Sequence, residues 1–271
     1  PNTEKRIRWQ VPGERAEWAV VYLHGFSATR QEIAPATELI ADALGANLFE
    51  TRLTGHGRAE GVMLDMRAED WLKDAAEALA IGSRIGERTL LVGTSTGATL
   101  ALAMAGEASM QHVDAIVAIS PNFGPDDPAA KWLTRPGGPL LAQLMLGDTR
   151  TWEPRNDQQA LYWSTSYPTA AIIEVMRLID LANDALSEPL EHSLLVLMSP
   201  NDGVVSPRLI REAVERVEAP RVELEQFEEV GDLTNHVLAG DILSPENTAA
   251  VVATVVELVR NDAEQTDKDA L

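Results

Sequence analysis

Short runs that are apolar on both faces recur along this chain, and longer stretches of helical periodicity separate them. Residues 18–23 (WAVVYL), 89–92 (TLLV), 113–119 and 194–198 are the clearest runs. A strand with no polar face must be covered on both sides. The pattern therefore predicts βαβ units and a mostly parallel sheet between two helical layers, an α/β fold. Helices are predicted over 29–44, with Ile33, Leu39, Ile40 and Leu44 at helical spacing, over 68–85, with Trp71, Leu72, Ala75, Leu79 and Ile85 on one face, and over 98–105. Residues 47–53 read as another strand, running into the Gly55-His56-Gly57 loop. Residues 221–227 alternate polar and apolar, as a strand with one exposed face would. A helix over 248–259 closes the chain, and the charged tail after it is expected to fray.

The rhythm breaks between Pro121 and Glu188. Pro121, Gly124, Pro125, Pro128, Pro136, Gly137, Gly138 and Pro139 cluster there, followed by helical patterns over 157–167 and 170–185. A structureless loop of this length is improbable, so residues 121–188 are expected to form an inserted helical cap on a core of 1–120 and 189–271. The aromatics of this stretch (Trp132, Trp152, Trp163, Tyr162, Tyr167) either line a pocket or only pack the insert onto the body.

With 271 residues, 45% of them hydrophobic, the chain can bury a large core without staples. It has no cysteine, which removes disulfides, a thiol nucleophile and Cys-based metal sites. A net charge of −20 argues against nucleic acid and anionic membrane as partners. Ordinary solubility is the preferred reading of that charge, and salt adaptation the alternative, toward which the scarcity of lysine (Lys5, Lys73, Lys131, Lys268) leans. No apolar run approaches the roughly 20 residues that span a bilayer. No signal-peptide pattern opens the chain, so a cytoplasmic location is expected, with a leader removed before Pro1 as the alternative.

Gly93-Thr94-Ser95-Thr96-Gly97 matches G-x-S-x-G. Alone the motif is weak, since about one chain in ten of this length would carry it by chance. Its position, directly after one predicted strand and directly before a helix, makes Ser95 a candidate nucleophile on a strained strand-to-helix turn. A serine needs a base. Of five histidines, His24 and His56 lie in early Gly-flanked loops, and His112 and His192 stand just before buried strands. His236 falls in a polar loop after the last strand, at the sheet edge where catalytic loops gather. Asp202, in the turn after 194–198, is the candidate acid. Its competitors are Asp232, which would need a local hairpin to reach His236, and Asp241. Oxyanion donors are expected in the amides of Thr96 and Phe26, and Phe26, Trp163 and Val204 are candidate substrate contacts. His24 is read as a scaffold residue. No metal-ligand spacing and no phosphate-binding loop is present, so no metal or other cofactor is expected.

Together, His24-Gly25-Phe26, Gly55-His56-Gly57, the Gly93–Gly97 turn, Asp202-Gly203-Val204-Val205 and Asn235-His236-Val237-Leu238 resemble the α/β-hydrolase superfamily, most closely small bacterial carboxylesterases and monoacylglycerol lipases. The resemblance spans roughly residues 18–259. It implies an eight-stranded sheet, a cap, and an acyl-enzyme mechanism without cofactor, acting on a small-molecule ester. Monoacylglycerol lipase, thioesterase, amidase and C–C bond hydrolase activities use the same triad, and a non-catalytic ligand-binding relative is the reading from another class. The polar, Pro-rich cap entrance departs from the lipase pattern and weighs against long-chain interfacial substrates. A haloalkane dehalogenase would carry Asp in place of Ser95.

Overall fold

A computed structural model describes residues 2–57, 63, 66–125, 138 and 147–269, with side chains through Asn261. Trp132, Pro128, Pro136, Gly137 and Pro139 of the expected cap entrance lie outside the described residues.

Seven strands among the described residues form the main sheet: β1 (Arg6–Arg8), β2 (Ala16–Leu23), β3 (Asn47–Glu50), β4 (Gly86–Thr94), β5 (Val113–Ile119), β8 (Ser193–Met198) and β9 (Val222–Gln226). Their spatial order is β1-β3-β2-β4-β5-β8-β9, and every pairing is parallel except β1 with β3. The resemblance implied eight strands. Seven are found among the described residues, where the chain ahead of β2 adds only the three-residue β1 to the β3 edge.

The continuous apolar runs follow from burial on both faces. Ala19, Val21 and Leu23 of β2 point into a core shared with α2 (Ala68–Ile85) and α3 (Thr96–Ala103), whereas Val20 and Tyr22 face α1 (Ala36–Leu44) and α7 (Thr248–Asp269). α2 has the bounds its periodicity predicted, and β5 likewise. α1 is shorter than expected. Pro35 stands at its N-cap, and Ile33, which seemed to extend the apolar face, is buried in a turn instead. α7 extends past the predicted end at 259 to Asp269.

Within 147–188, β6 (Thr149–Thr151) pairs antiparallel with β7 (Ser166–Pro168), and α4 (Asp157–Tyr162) lies between them. The helical reading of 157–167 thus stops at Tyr162, because the next residues leave the helix to pair with β6. α5 (Thr169–Ala185) packs on α3 and buries Leu178 and Ala182 in the α2–α3 core. α6 (Pro207–Arg216) bridges β8 and β9, capped by the Ser206 side chain accepting from Leu209 N–H at 3.2 Å. No helix among the described residues is long and apolar enough to cross a membrane.

One topological detail positions the site. The chain leaves β2 through α1 to β3 on one side, then returns through α2 on the opposite face to β4 on the other side of β2. The loops after β2 and β4 therefore diverge and leave a crevice at the carboxyl ends of the strands, where α/β sheets bind ligands.

Candidate active site

The turn from β4 into α3 is a single residue long. Ser95 sits between them at φ 52°, ψ −118°, a left-handed backbone that L-residues adopt at a cost of about 1–3 kcal/mol. Its N–H donates to Ile119 O at 2.8 Å, which holds the turn against β5. The two motif glycines are required by contact. A Cβ on Gly93 would lie 2.5 Å from Gly97 O, and one on Gly97 would lie 2.1 Å from Leu23 O and 2.6 Å from His24 O. Those neighbours are backbone and cannot swing aside. Gly97→Ala should accordingly destabilise the fold by on the order of 3 kcal/mol or more despite alanine's better helix propensity, read as a lower denaturant midpoint at unchanged m-value.

Asp202 and His236 meet across two loops. His236 Nδ1 lies 2.8 Å from Asp202 Oδ2. Asp202 Oδ1 accepts the amides of Val204 at 2.8 Å and Val205 at 3.0 Å, so this carboxylate both shapes its own turn and holds the imidazole. With the carboxylate accepting, the ring proton sits on Nδ1 and Nε2 keeps its lone pair. Burial disfavours the imidazolium, but the Asp202 hydrogen bond and charge, joined by the charges of Glu32 and Asp232, outweigh it and raise His236 above its ordinary value.

Asp232 does turn back to His236, because Asn235 N–H donates to Asp232 O at 2.7 Å and closes a tight turn. It reaches the backbone and not the ring: Oδ2 accepts His236 N–H at 3.0 Å, Val237 N–H at 3.1 Å and the Thr234 hydroxyl at 2.7 Å. Its other oxygen pairs with Arg155. Ser120 Oγ donates to His236 O at 2.8 Å, so the histidine's backbone is held on both sides.

The His24-Gly25-Phe26 turn follows β2. His24 is buried and neutral, its value lowered to about 3 by burial and by His56, and its Nε2 accepts Leu53 N–H at 3.1 Å. The Phe26 amide donates to no acceptor among the described residues. Thr96 is the first residue of α3, where an N–H has no partner inside the helix. The Phe26 ring packs edge-on against Tyr167 at 4.8 Å and His56 at 5.6 Å between centroids.

A cavity of about 540 Å³ opens over these turns, lined by Ser95, Thr96, His236, Phe26, Trp163 and Val204, all predicted from sequence. Asp202 stands behind His236, outside the lining. Tyr167, one of the aromatics for which a pocket was one of two readings, and Asp232, the competing acid, also line the cavity, as do Glu32 and Arg155, which were not predicted to face it. Asp232-Leu233-Thr234 carries the Asx-turn pattern that marks such a loop; Glu32 and Arg155 carry no local signal. No group of three His, Cys, Asp or Glu residues among those described is placed to hold a metal ion.

The profile of the alpha/beta hydrolase family matches residues 20–253. No curated protein sequence matches significantly. Among solved structures, one reported with the metagenome-derived lipolytic enzymes LipS and LipT superposes with a TM-score of 0.78 at 19% identity, covering 96% of this chain and 98% of its own. The monoacylglycerol lipase of Paleococcus ferrophilus gives 0.69 at 17% identity, with 93% and 98% covered. A soluble variant of monoglyceride lipase from Saccharomyces cerevisiae, in complex with a substrate analog, gives 0.69 at 12% identity, with 95% and 91% covered.

Proposed function

The chain belongs to the alpha/beta hydrolase family, and on that premise we propose that it is a serine carboxylesterase acting on short- to medium-chain esters through an acyl-enzyme. The observation that carries this reading is the 2.8 Å bond from His236 Nδ1 to a carboxylate already anchored by two amides, in a loop that shares one cavity with the strained Ser95. In this reading Ser95 Oγ attacks the ester carbonyl while His236 Nε2 takes its proton. The Phe26 and Thr96 amides stabilise the oxyanion, and His236 returns the proton to the leaving alcohol. Water, deprotonated by the same nitrogen, then releases the acid. The lipolytic and monoacylglycerol lipase activities named for the similar structures support ester chemistry.

Residues 121–188 are proposed as a cap inserted between core segments 1–120 and 189–271. Its anchors include Ser164 N–H donating to Ser27 O at 2.7 Å and Glu174 accepting Ala68 N–H at 3.1 Å. Trp163 then walls the acyl site with Phe26, and the more exposed Val204 stands at the mouth. The cavity falls within the usual range of small-molecule sites.

Incubation with a fluorophosphonate followed by peptide mapping tests the reading: the label should fall on Ser95 and abolish nitrophenyl butyrate hydrolysis. A protein that stays unlabelled and inert toward short esters ends the proposal. Activity requires neutral His236, whose value is raised. kcat/KM should therefore fall as pH drops, with an acid limb above the ordinary imidazole value of 6.5.

A further inference from the structure

Glu32 is a buried carboxyl group that the reaction above leaves without a role. It is only 2% exposed, yet it lines the cavity with Ser95 and His236. Its Oε2 accepts Gly25 N–H at 2.7 Å and the Tyr22 hydroxyl at 3.0 Å. Tyr22 Oη also lies 3.2 Å from Thr94 Oγ1. One phenol proton cannot serve both contacts, so with the carboxylate taking it, the Thr94 hydroxyl donates to the phenol oxygen. A Cβ on Gly25 would stand 2.6 Å from Glu32 Oε1, so the carboxyl lies directly on that glycine. Gly25 immediately precedes Phe26, and Thr94 immediately precedes Ser95.

We propose that Glu32 is a positioning residue for ester hydrolysis, tying the Phe26 turn to the Ser95 turn and placing a negative charge where it favours the His236 imidazolium. The inference rests on the serine-esterase reading. Two loops that must each aim an amide at one oxyanion need a common reference, and misplacement by about 1 Å can cost on the order of 100-fold. Across the network, Tyr22 from β2 and His236 from the loop after β9 face Glu32, while Asp202 and Asp232 face His236 from their own loops. Arg30, next but one in sequence, instead reaches Glu50 at 3.4 Å. Burial lifts Glu32 to about 7, against the pull of Gly25 N–H, the His236 charge and Tyr22. Near neutral pH its ionisation and that of His236 therefore favour one another. Tyr22 itself stays protonated, since burial and the Glu32 charge push it well above its usual range.

The test is steady-state kinetics across pH on Glu32→Gln, Glu32→Asp and Tyr22→Phe, with circular dichroism as the check on folding. In Glu32→Gln, kcat should fall about 10- to 100-fold with KM within about threefold. Its acid limb should move to lower pH, because loss of the negative charge disfavours the imidazolium. Glu32→Asp should keep the acid limb near its wild-type position while losing kcat. Tyr22→Phe should also lose kcat while leaving the limb close to its wild-type position, since it removes the phenol that joins Glu32 to Thr94 but keeps the Glu32 carboxyl facing His236. Should Glu32→Gln not fold, these last two variants decide: wild-type kcat in both overturns the proposal. So does a folded Glu32→Gln with kcat within twofold and an unmoved limb. Wild-type protein that neither takes the fluorophosphonate nor turns over esters overturns the underlying esterase reading instead.

Discussion

Ser95→Ala should lower kcat for a nitrophenyl ester by on the order of 10⁴ to 10⁶ while leaving the fold intact. The substitution removes one hydroxyl oxygen and keeps Cβ. The turn is held by the Ser95 N–H to Ile119 O bond and by the close approach of Gly93 and Gly97, none of which involves that oxygen. Stability should therefore change little, and a thermal melt beside the kinetics separates lost chemistry from lost structure. In the proposed mechanism, whatever rate survives is what the oxyanion amides and the cavity supply to a bound ester attacked by water. Retention of wild-type turnover in a folded Ser95→Ala protein would remove the nucleophile from the mechanism.

Asp202→Asn should be the next most damaging conservative change, costing about 10³- to 10⁴-fold in kcat. Both Val204 and Val205 present N–H groups to the oxygen now occupied by Oδ1, so the new amide must turn its own oxygen toward them. Its NH₂ then faces His236 Nδ1, 2.8 Å away in the wild type. A ring nitrogen facing a donor must accept, so the imidazole proton moves to Nε2, the atom that has to take the serine proton. The side chain keeps its shape and the histidine is held in the wrong tautomer. Asp232→Asn makes the control. Asp232 touches the backbone amides of His236 and Val237, so it cannot change the ring tautomer and should cost no more than about tenfold. If the Asp232 variant proves the more damaging of the two, the acid has been assigned to the wrong carboxylate.

Each of the three triad candidates could be found from sequence because each is marked locally. Ser95 lies between two glycines at a strand-to-helix junction, Asp202 opens a turn after an apolar run, and His236 follows the last strand. Glu32 could not be found that way. By sequence it falls inside a stretch of helical spacing, as an ordinary solvated residue; the buried Ile33 and Pro35 at the α1 N-cap turn it into a loop residue under the cavity. Arg155 likewise looks like a surface arginine until folding brings it to Asp232, 77 positions away.

Periodicity and turn chemistry were enough to determine the α/β class and most strand and helix positions, and to nominate a serine, an acid and a histidine in that order, because burial on two faces and a sharp Gly-flanked turn each leave a signature within about ten neighbouring residues. Tertiary structure alone decided that the sheet has seven strands among the described residues, that Asp202 meets the His236 ring while Asp232 meets its backbone, and that Glu32 joins two loops. Those outcomes depend on how the strands are ordered in space, and strand order is settled by packing between segments that share no local sequence.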